Sequence, residues 1–287
     1  MSKKTHINLS RKNIVVFYHA YCPDGFGGAY AAWKRFGSRA EYIPLEYGKP
    51  MPIFPRQSQV YFIDIIAPES ELLSLIRANR RVTAIDHHIS SRYLVKKTYK
   101  YLYALNHSGA TLAWRYFHKR KKMPQLLLSI EDGDLWRMKL PYTQAINAVL
   151  EMQEFDFKIW DKLVKAFENS KDRKNIIKDG KLLLNYKGKI IEGIIEQGAR
   201  LVKFKGIRTY AVNSPIYKDE IGNRLATKYP PMAIVWTERK NKRKISLRSV
   251  PNFNVSRLAQ KMDGGGGHKN AASFTMDINK PLPWKRL

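Results

Sequence analysis

Val82-Thr83-Ala84-Ile85-Asp86-His87-His88 opens as an apolar run and ends in a carboxylate and two imidazoles. The run reads as a short buried strand, so the polar triplet falls at its C-terminal end. Open α/β sheets place their ligand sites there. Three such residues are costly to bury without a partner, and Asp with His suits a divalent metal of the Mn/Mg/Zn range.

Outward from this stretch the same grammar recurs. Ile14-Val15-Val16-Phe17-Tyr18 is an apolar strand followed by His19, and Pro23-Asp24-Gly25 then reads as a turn. Residues 27–36 are small and apolar and predict a helix with Trp33 on its buried face. Val60-Tyr61-Phe62-Ile63 is a strand ending at Asp64, and residues 69–79 form an amphipathic helix with Ser70 as cap. Residues 109–118 and 123–131 read as helices, and Glu131-Asp132-Gly133-Asp134 supplies a fourth acidic segment, read as one more strand tip. Strands alternating with helices predict an α/β fold, with a doubly wound, mainly parallel sheet over residues 12–155. Neighbouring strand tips in such a sheet lie within reach of one another, so the four segments should converge on one metal-rich pocket. Two divalent cations ~3.5–4 Å apart could be held there, activating water and clamping a phosphoryl oxygen. The reaction class implied is hydrolysis of a phosphoester or phosphoanhydride.

Residues 156–204 are lysine-rich, free of proline and mostly helical in pattern, which suggests a helical connector. Residues 205–287 return to strands, at 209–212, 232–236, 244–249 and 272–276, with a short helix at 255–261. They predict a smaller α/β domain. In that domain Gly264-Gly265-Gly266-Gly267-His268 lets backbone N–H groups approach an anion. His268 and Arg248 can add charge-assisted contacts. A glycine run by itself is more often a flexible loop.

The chain of 287 residues carries 52 Lys and Arg against 24 Asp and Glu, a formal charge of +28. That points to a polyanionic partner, with a solvated lysine-rich surface as the plainer explanation. Cys22 is the sole cysteine, which excludes an intrachain disulfide and fits a reducing, cytoplasmic setting. No apolar run approaches the ~18 residues of a membrane span. The polar first 12 residues lack the apolar core of a signal peptide. His107 and His118 read as surface or packing residues, and Trp33, Trp114, Trp136 and Trp236 as core. Ser108-Gly109-Ala110-Thr111 reads as a plain helix cap, although its N–H groups could face the site. Tyr21 and Phe26, beside the first motif, are the candidates for stacking on a base.

His19 with Asp24-Gly25, Asp64, Asp86-His87-His88 and Asp134, followed by Ser246-Leu247-Arg248-Ser249 and the glycine run with His268, resemble one family in order and spacing. The chain is identified as a member of the DHH phosphoesterase superfamily with its associated C-terminal domain. Its branch is that of RecJ-like exonucleases, nanoRNases, pAp phosphatases and cyclic-dinucleotide phosphodiesterases. The resemblance implies a metal-dependent phosphoesterase with two Mn²⁺ or Mg²⁺ ions. His19, Asp24, Asp64, His87 and Asp134 fall on metal-ligand positions, with Asp64 bridging. Asp86 would orient the histidines and His88 would sit near the scissile phosphate, the two forming the catalytic pair. Arg248, Gly265, Gly266 and His268 fall on substrate-binding positions, which by the same resemblance puts the active site in the interdomain cleft. Asp132 competes with Asp134 for the fourth motif. Many relatives carry Asp-x-Asp in the first motif, where this chain has Cys22-Pro23-Asp24, so Cys22 is either a softer ligand or a small packed residue. The implied partner is a short oligonucleotide or nucleotide, or nucleic acid more broadly, and a homodimer is left open. The alternatives are a nucleic-acid-binding protein with a weakened site and, with the glycine run against it, an inorganic pyrophosphatase.

Overall fold

Runs rich in Val, Ile, Phe and Tyr become the parallel strands of the first sheet: β1 (Ile14–His19), β2 (Glu41–Leu45), β3 (Gln59–Ile63), β4 (Arg81–Asp86) and β5 (Lys100–Tyr103). Their order is β2-β1-β3-β4-β5. β1, β3 and β4 are buried on both faces through most of their length, as a parallel sheet covered on both sides requires. Val16, Tyr18, Tyr61, Ile63 and Ile85 pack with α1 (Pro23–Phe36) on one face. Val15, Phe17, Val60, Phe62, Val82 and Ala84 pack on the other, against Leu72 and Leu75 of α2 (Glu69–Ala78) and Val95 of α3 (Arg92–Val95). The chain reverses its direction of winding between β1 and β3. The C-terminal ends of those two strands flank the crevice where such sheets bind ligands.

The structure is a computed structural model that describes residues 12–52 and 55–287, so most of the polar N-terminal segment lies outside the described residues. The chain divides into two compact units, Met1–Leu184 and Asn185–Leu287. The first continues through α4 (Gly109–Phe117), α5 (Gln125–Asp134), α6 (Thr143–Glu151) and α7 (Phe157–Glu168), and the division falls within α8 (Ser170–Gly198). No helix among the described residues is long and apolar enough to cross a membrane.

Three expectations are corrected here. Ser70 does not cap α2; Pro68 occupies that position, and no side chain accepts from the first-turn amides. Phe26 is no stacking platform, being 1% exposed and stacked on Phe157 with centroids 4.8 Å apart. The inward face of α1 claims it. Trp136 is not core but 72% exposed. α5 ends two residues earlier, and Trp136 takes a left-handed φ of 52° in the turn that follows. His118 does pack, with Nε2 2.9 Å from the Ala31 carbonyl and its ring against Trp114.

One polar link ties α1 to α7. Asp161 accepts from Tyr30 Oη at 2.9 Å, Lys34 Nζ at 2.8 Å and Lys165 Nζ at 2.7 Å. Burial pushes its carboxyl up, but the two lysines and the phenol outweigh it and hold the carboxyl at about 2. A carboxylate depressed in this way adds stability above its unfolded pKa and loses it as pH falls toward 2. A partly exposed network of this kind contributes about 1 kcal/mol. Asp161→Asn should therefore lower the melting midpoint by about 2–4 °C at pH 7. The gap from wild type should close as pH falls toward 2, and a gap that persists there in acid melts would refute the charge linkage.

The second unit holds β6 (Arg200–Phe204), β7 (Ile207–Asn213), α9 (Lys218–Lys228), β8 (Met232–Arg239), β9 (Lys242–Ser249), α10 (Ser256–Ala259), β10 (Gly266–His268), β11 (Ala271–Asp277) and β12 (Trp284–Arg286). The strands form one mixed sheet in the order β10-β11-β9-β8-β7-β6-β12, in which only the β7–β8 pair is parallel. Ile191 and Ile195 of α8 with Ile221 and Leu225 of α9 cover one face. Val255 and Ala259 pack with Ile245, Leu247 and Phe274 on the other.

Candidate metal centre

His19 is the last residue of β1, Asp64 follows β3 directly, and Asp86 ends β4 with His87 and His88 after it. Three of the four acidic or imidazole segments are thus strand tips. The fourth is not. Glu131–Asp134 closes a helix, because Leu126, Leu127 and Ile130 bury at helical spacing, and Asp134 is the last residue of α5. Asp24 likewise sits in the first turn of α1, after Pro23. Asp64 holds a left-handed φ of 61° while its N–H donates to the Ile85 carbonyl at 2.9 Å. A non-glycine residue in that region is uncommon and concentrates at functional sites.

The side chains converge on His87. Its Nε2 lies 3.1 Å from Asp64 Oδ1, 3.5 Å from Asp134 Oδ2 and 3.6 Å from Asp24 Oδ2. The other oxygen of Asp64 is 3.2 Å from His19 Nδ1, so Asp64 faces both imidazoles. Asp132 faces elsewhere. Its carboxylate accepts from the Lys139 and Leu140 amides and from Thr143 Oγ1, which caps the turn into α6. Of the two, it is Asp134 that joins the cluster. Asp86 Oδ1 accepts from the His87 and His88 amides at 2.6 and 2.9 Å and lies 2.9 Å from His88 Nδ1. It orients the ring of His88 but reaches His87 through the backbone only, and its Oδ2 has no partner.

The charges do not balance. Burial, with Asp64 and Asp134 beside it, raises the Asp24 carboxyl well above its usual range. Burial and Asp64 raise Asp134 as well. Asp64 is also buried, yet His19 and His87 hold its carboxyl at about 2. Burial opposes a proton on His87, but Asp64, Asp24 and Asp134 together push the imidazole up to about 9. Three carboxylates around one imidazole form a cavity that favours added positive charge. The donors fit a divalent cation: Asp24, His87 and Asp134 offer atoms within 4.8 Å of one another, as do Asp64, His87 and His88, and His19, Cys22 and Asp64. Metal ligation requires the neutral imidazole, so a bound cation would displace the proton that His87 otherwise keeps.

Sequence reasoning preferred a plain cap at residues 108–111 over one whose N–H groups face the site, and both occur. The residues 108–111 do form a cap, with Ser108 Oγ accepting from the Thr111 amide at 3.4 Å. The next amides also face the site, Gly109 donating to Asp24 Oδ2 at 2.6 Å and Ala110 to Oδ1 at 2.8 Å. The start of α4 is itself clamped by Glu131. That buried carboxylate accepts from the Ser108 amide, Thr111 Oγ1 and Arg137, and pairs with His107 Nδ1 at 3.1 Å. His107 is thus part of a polar buckle rather than a surface bystander. Tyr47 was also missed, its ring 5.0 Å from His19 and 6.2 Å from His88. It lies just past the end of β2, where the strand-tip rule would have found it.

In the second unit Arg248 lies on β9. Its guanidinium pairs with Asp219 and donates to the Leu247 carbonyl at 2.7 Å. The glycine run is more ordered than a loop, since Gly266–His268 forms β10 and pairs antiparallel with β11. At Gly265 an added Cβ would sit 1.9 Å from the Ala259 carbonyl oxygen, so close packing on α10 alone demands glycine there. Gly266 meets no such obstacle, and His268 is exposed.

A DHHA1 domain model matches residues 214–281. The uncharacterized protein R106 of Acanthamoeba polyphaga mimivirus is 30% identical over 299 residues, which cover 95% of this chain and 70% of that protein. An exopolyphosphatase-related protein from Bacteroides fragilis has the same fold at a TM-score of 0.55, with 15% identity over 94% of this chain and 87% of its own. RecJ from Thermus thermophilus, solved with Mg²⁺, aligns at a TM-score of 0.48, with 12% identity over 93% of this chain and 47% of its own. The chain belongs to the DHH superfamily, among the members with a DHHA1 C-terminal domain. Enzymes of that superfamily are phosphoesterases and use divalent metals.

Proposed function

We propose that this chain is a metal-dependent phosphoesterase that hydrolyses phosphodiester or phosphomonoester bonds in short oligonucleotides or nucleotides. The observation that carries the reading is the convergence of Asp24, Asp64 and Asp134 on His87 Nε2. With His19 these residues would hold one or two Mn²⁺ or Mg²⁺ ions. Such ions, when bound, activate water and neutralise charge on phosphoryl oxygens. The chain's own residues supply the rest. Gly109 and Ala110 fix Asp24, and Asp64 aligns His19 and His87. His88 gives its Nδ1 to Asp86, which raises its pKa and leaves Nε2 as the nitrogen able to pass a proton to a leaving oxygen. Arg248, Gly265, Gly266 and His268 are assigned the anionic end of the substrate by residue type. Tyr21 and Trp136, 80% and 72% exposed, neighbour His19 and Asp134 in sequence and offer open faces to a base. The charge of +28 favours a nucleic-acid-derived substrate over pyrophosphate.

Cys22 favours a second reading, a nucleic-acid-binding protein with a weakened site. Burial first, then Asp64, pushes its thiol up to about 12. Protonated, it is a poor substitute for a carboxylate. The deciding experiment incubates the purified protein with a dinucleotide and with pAp, each in Mn²⁺ and in Mg²⁺. Turnover of either supports the enzyme. No turnover, with tight salt-sensitive RNA binding, selects the second reading. If a base stacks on Trp136, Trp136→Ala should raise KM for the dinucleotide about tenfold with kcat little changed, since a lost stack is worth roughly 1–3 kcal/mol. An unchanged KM removes Trp136 from the site.

A further inference from the structure

A cavity of about 660 Å³ lies along the edge strand β5, the outer side of α4 and the end of α1. Arg35, Lys100, Arg115 and Lys119 line it. A second cavity of about 600 Å³ shares Arg35 and Lys119 and adds Lys34, Arg120 and Lys121. No acidic residue lines either one. Among the described residues no carboxylate pairs with Arg35, Lys100 or Lys119. An ordinary solvated surface intersperses its charges. Here seven cations gather around two hollows that share walls; Lys34 is paired with Asp161, and the other six repel one another until an anion lies between them.

The walls are also aromatic. Tyr101 stands 48% exposed in the first cavity, and Tyr116 lies beneath Lys100, whose Nζ is 5.4 Å from the ring centre. Phosphates need only the cations. A cationic groove interleaved with open rings suits a strand that offers both phosphates and unpaired bases. The groove lies apart from the ligands of the metal centre but shares α4 with them. The first amides of that helix hold Asp24, while Leu112, Arg115, Tyr116 and Phe117 line the groove.

We propose that this groove binds single-stranded nucleic acid and serves as a capture surface outside the metal centre. The binding does not depend on hydrolysis. The experiment measures anisotropy of labelled oligo(U) and oligo(dT) of about 20 nucleotides, longer than the ~4–16 of a typical single-strand site. It uses the full chain in EDTA, so the metal centre is silent and failure of the enzyme reading leaves the assay intact. The groove variant is Arg35→Glu/Lys100→Glu/Lys119→Glu. The control is Lys174→Glu/Lys178→Glu/Lys181→Glu, three exposed α8 positions giving the same net charge. Circular dichroism melts verify that both fold, and Tyr101→Ala provides an uncharged second probe. The groove variant should lose at least ~30-fold in affinity and about 3 in log–log salt slope, against a loss of about 2-fold in the control. Tyr101→Ala should cost about 5–10-fold for the oligonucleotides and nothing for linear polyphosphate. Equal losses in groove variant and control would overturn the proposal. So would absence of binding by the wild type, or an oligonucleotide affinity indifferent to Tyr101→Ala while polyphosphate binds.

Discussion

Asp64→Asn should reduce phosphoester hydrolysis by roughly a thousandfold or more, because the change removes the charge that faces both imidazoles. Asparagine is the right replacement at this position. Asp64 has a left-handed φ of 61°, a region that asparagine tolerates and alanine does not. The amide also preserves the shape of the buried pocket. A drop in activity can therefore be read as loss of charge rather than loss of fold. Calorimetric titration with Mn²⁺ should show much weakened binding, while the melt stays cooperative. Near-normal turnover in the variant would remove Asp64 from the centre of the site. His87→Ala should act in the same direction and also cost stability, since it leaves the buried carboxylates of Asp24 and Asp64, with Asp134 beside them, without their imidazole.

Gly109→Ala should reduce activity about a hundredfold without touching a ligand. An alanine Cβ there would stand 2.6 Å from Asp64 Cβ and 2.9 Å from Asp24 Oδ2. Neither neighbour can retreat easily. Asp24 is fixed by the Gly109 and Ala110 amides, and Asp64 by its backbone bond to Ile85 and by His19 and His87. Overpacking of this kind costs about 1–3 kcal/mol, a fall in melting midpoint of roughly 3–10 °C. Gly193→Ala on α8 is the control, since a Cβ there meets nothing within 4 Å. Helix propensity predicts that it gains up to ~1 kcal/mol and leaves kcat alone. If Gly109→Ala retained full activity with full stability, the tight seating of α4 on the two aspartates would be wrong.

Both results would bear on how far the chain could be read unaided. Local pattern was enough for the parallel sheet. The apolar runs before His19, Asp64 and Asp86 are uninterrupted, as strands buried on two faces must be. The helices between them force parallel crossovers. His19, Asp64 and His87 were also legible, since polar side chains directly after buried runs are conspicuous in a linear text, whereas Asp24 and Asp134 stood out only through the order of the family motifs. Where pattern failed, the deciding contacts were distant in sequence. Trp136 looked like core because it is large and apolar, yet the end of α5 turns it outward. Phe26 looked available because it neighbours a motif, yet α7 supplies Phe157 to cover it.

The sequence by itself determined the class of sheet, the acidic and imidazole groups at the strand tips, and the superfamily, because strand period, apolar run length and motif order are all local properties. Only the tertiary structure decided which carboxylates share His87, that Asp134 rather than Asp132 joins them, and that Asp86 serves His88 through its side chain. It alone showed that Gly109 and Ala110, 85 and 86 residues from Asp24, hold that carboxylate in place. Those assignments rest on short distances between groups far apart along the chain. They are fixed by packing of helices on the sheet, which no local pattern encodes.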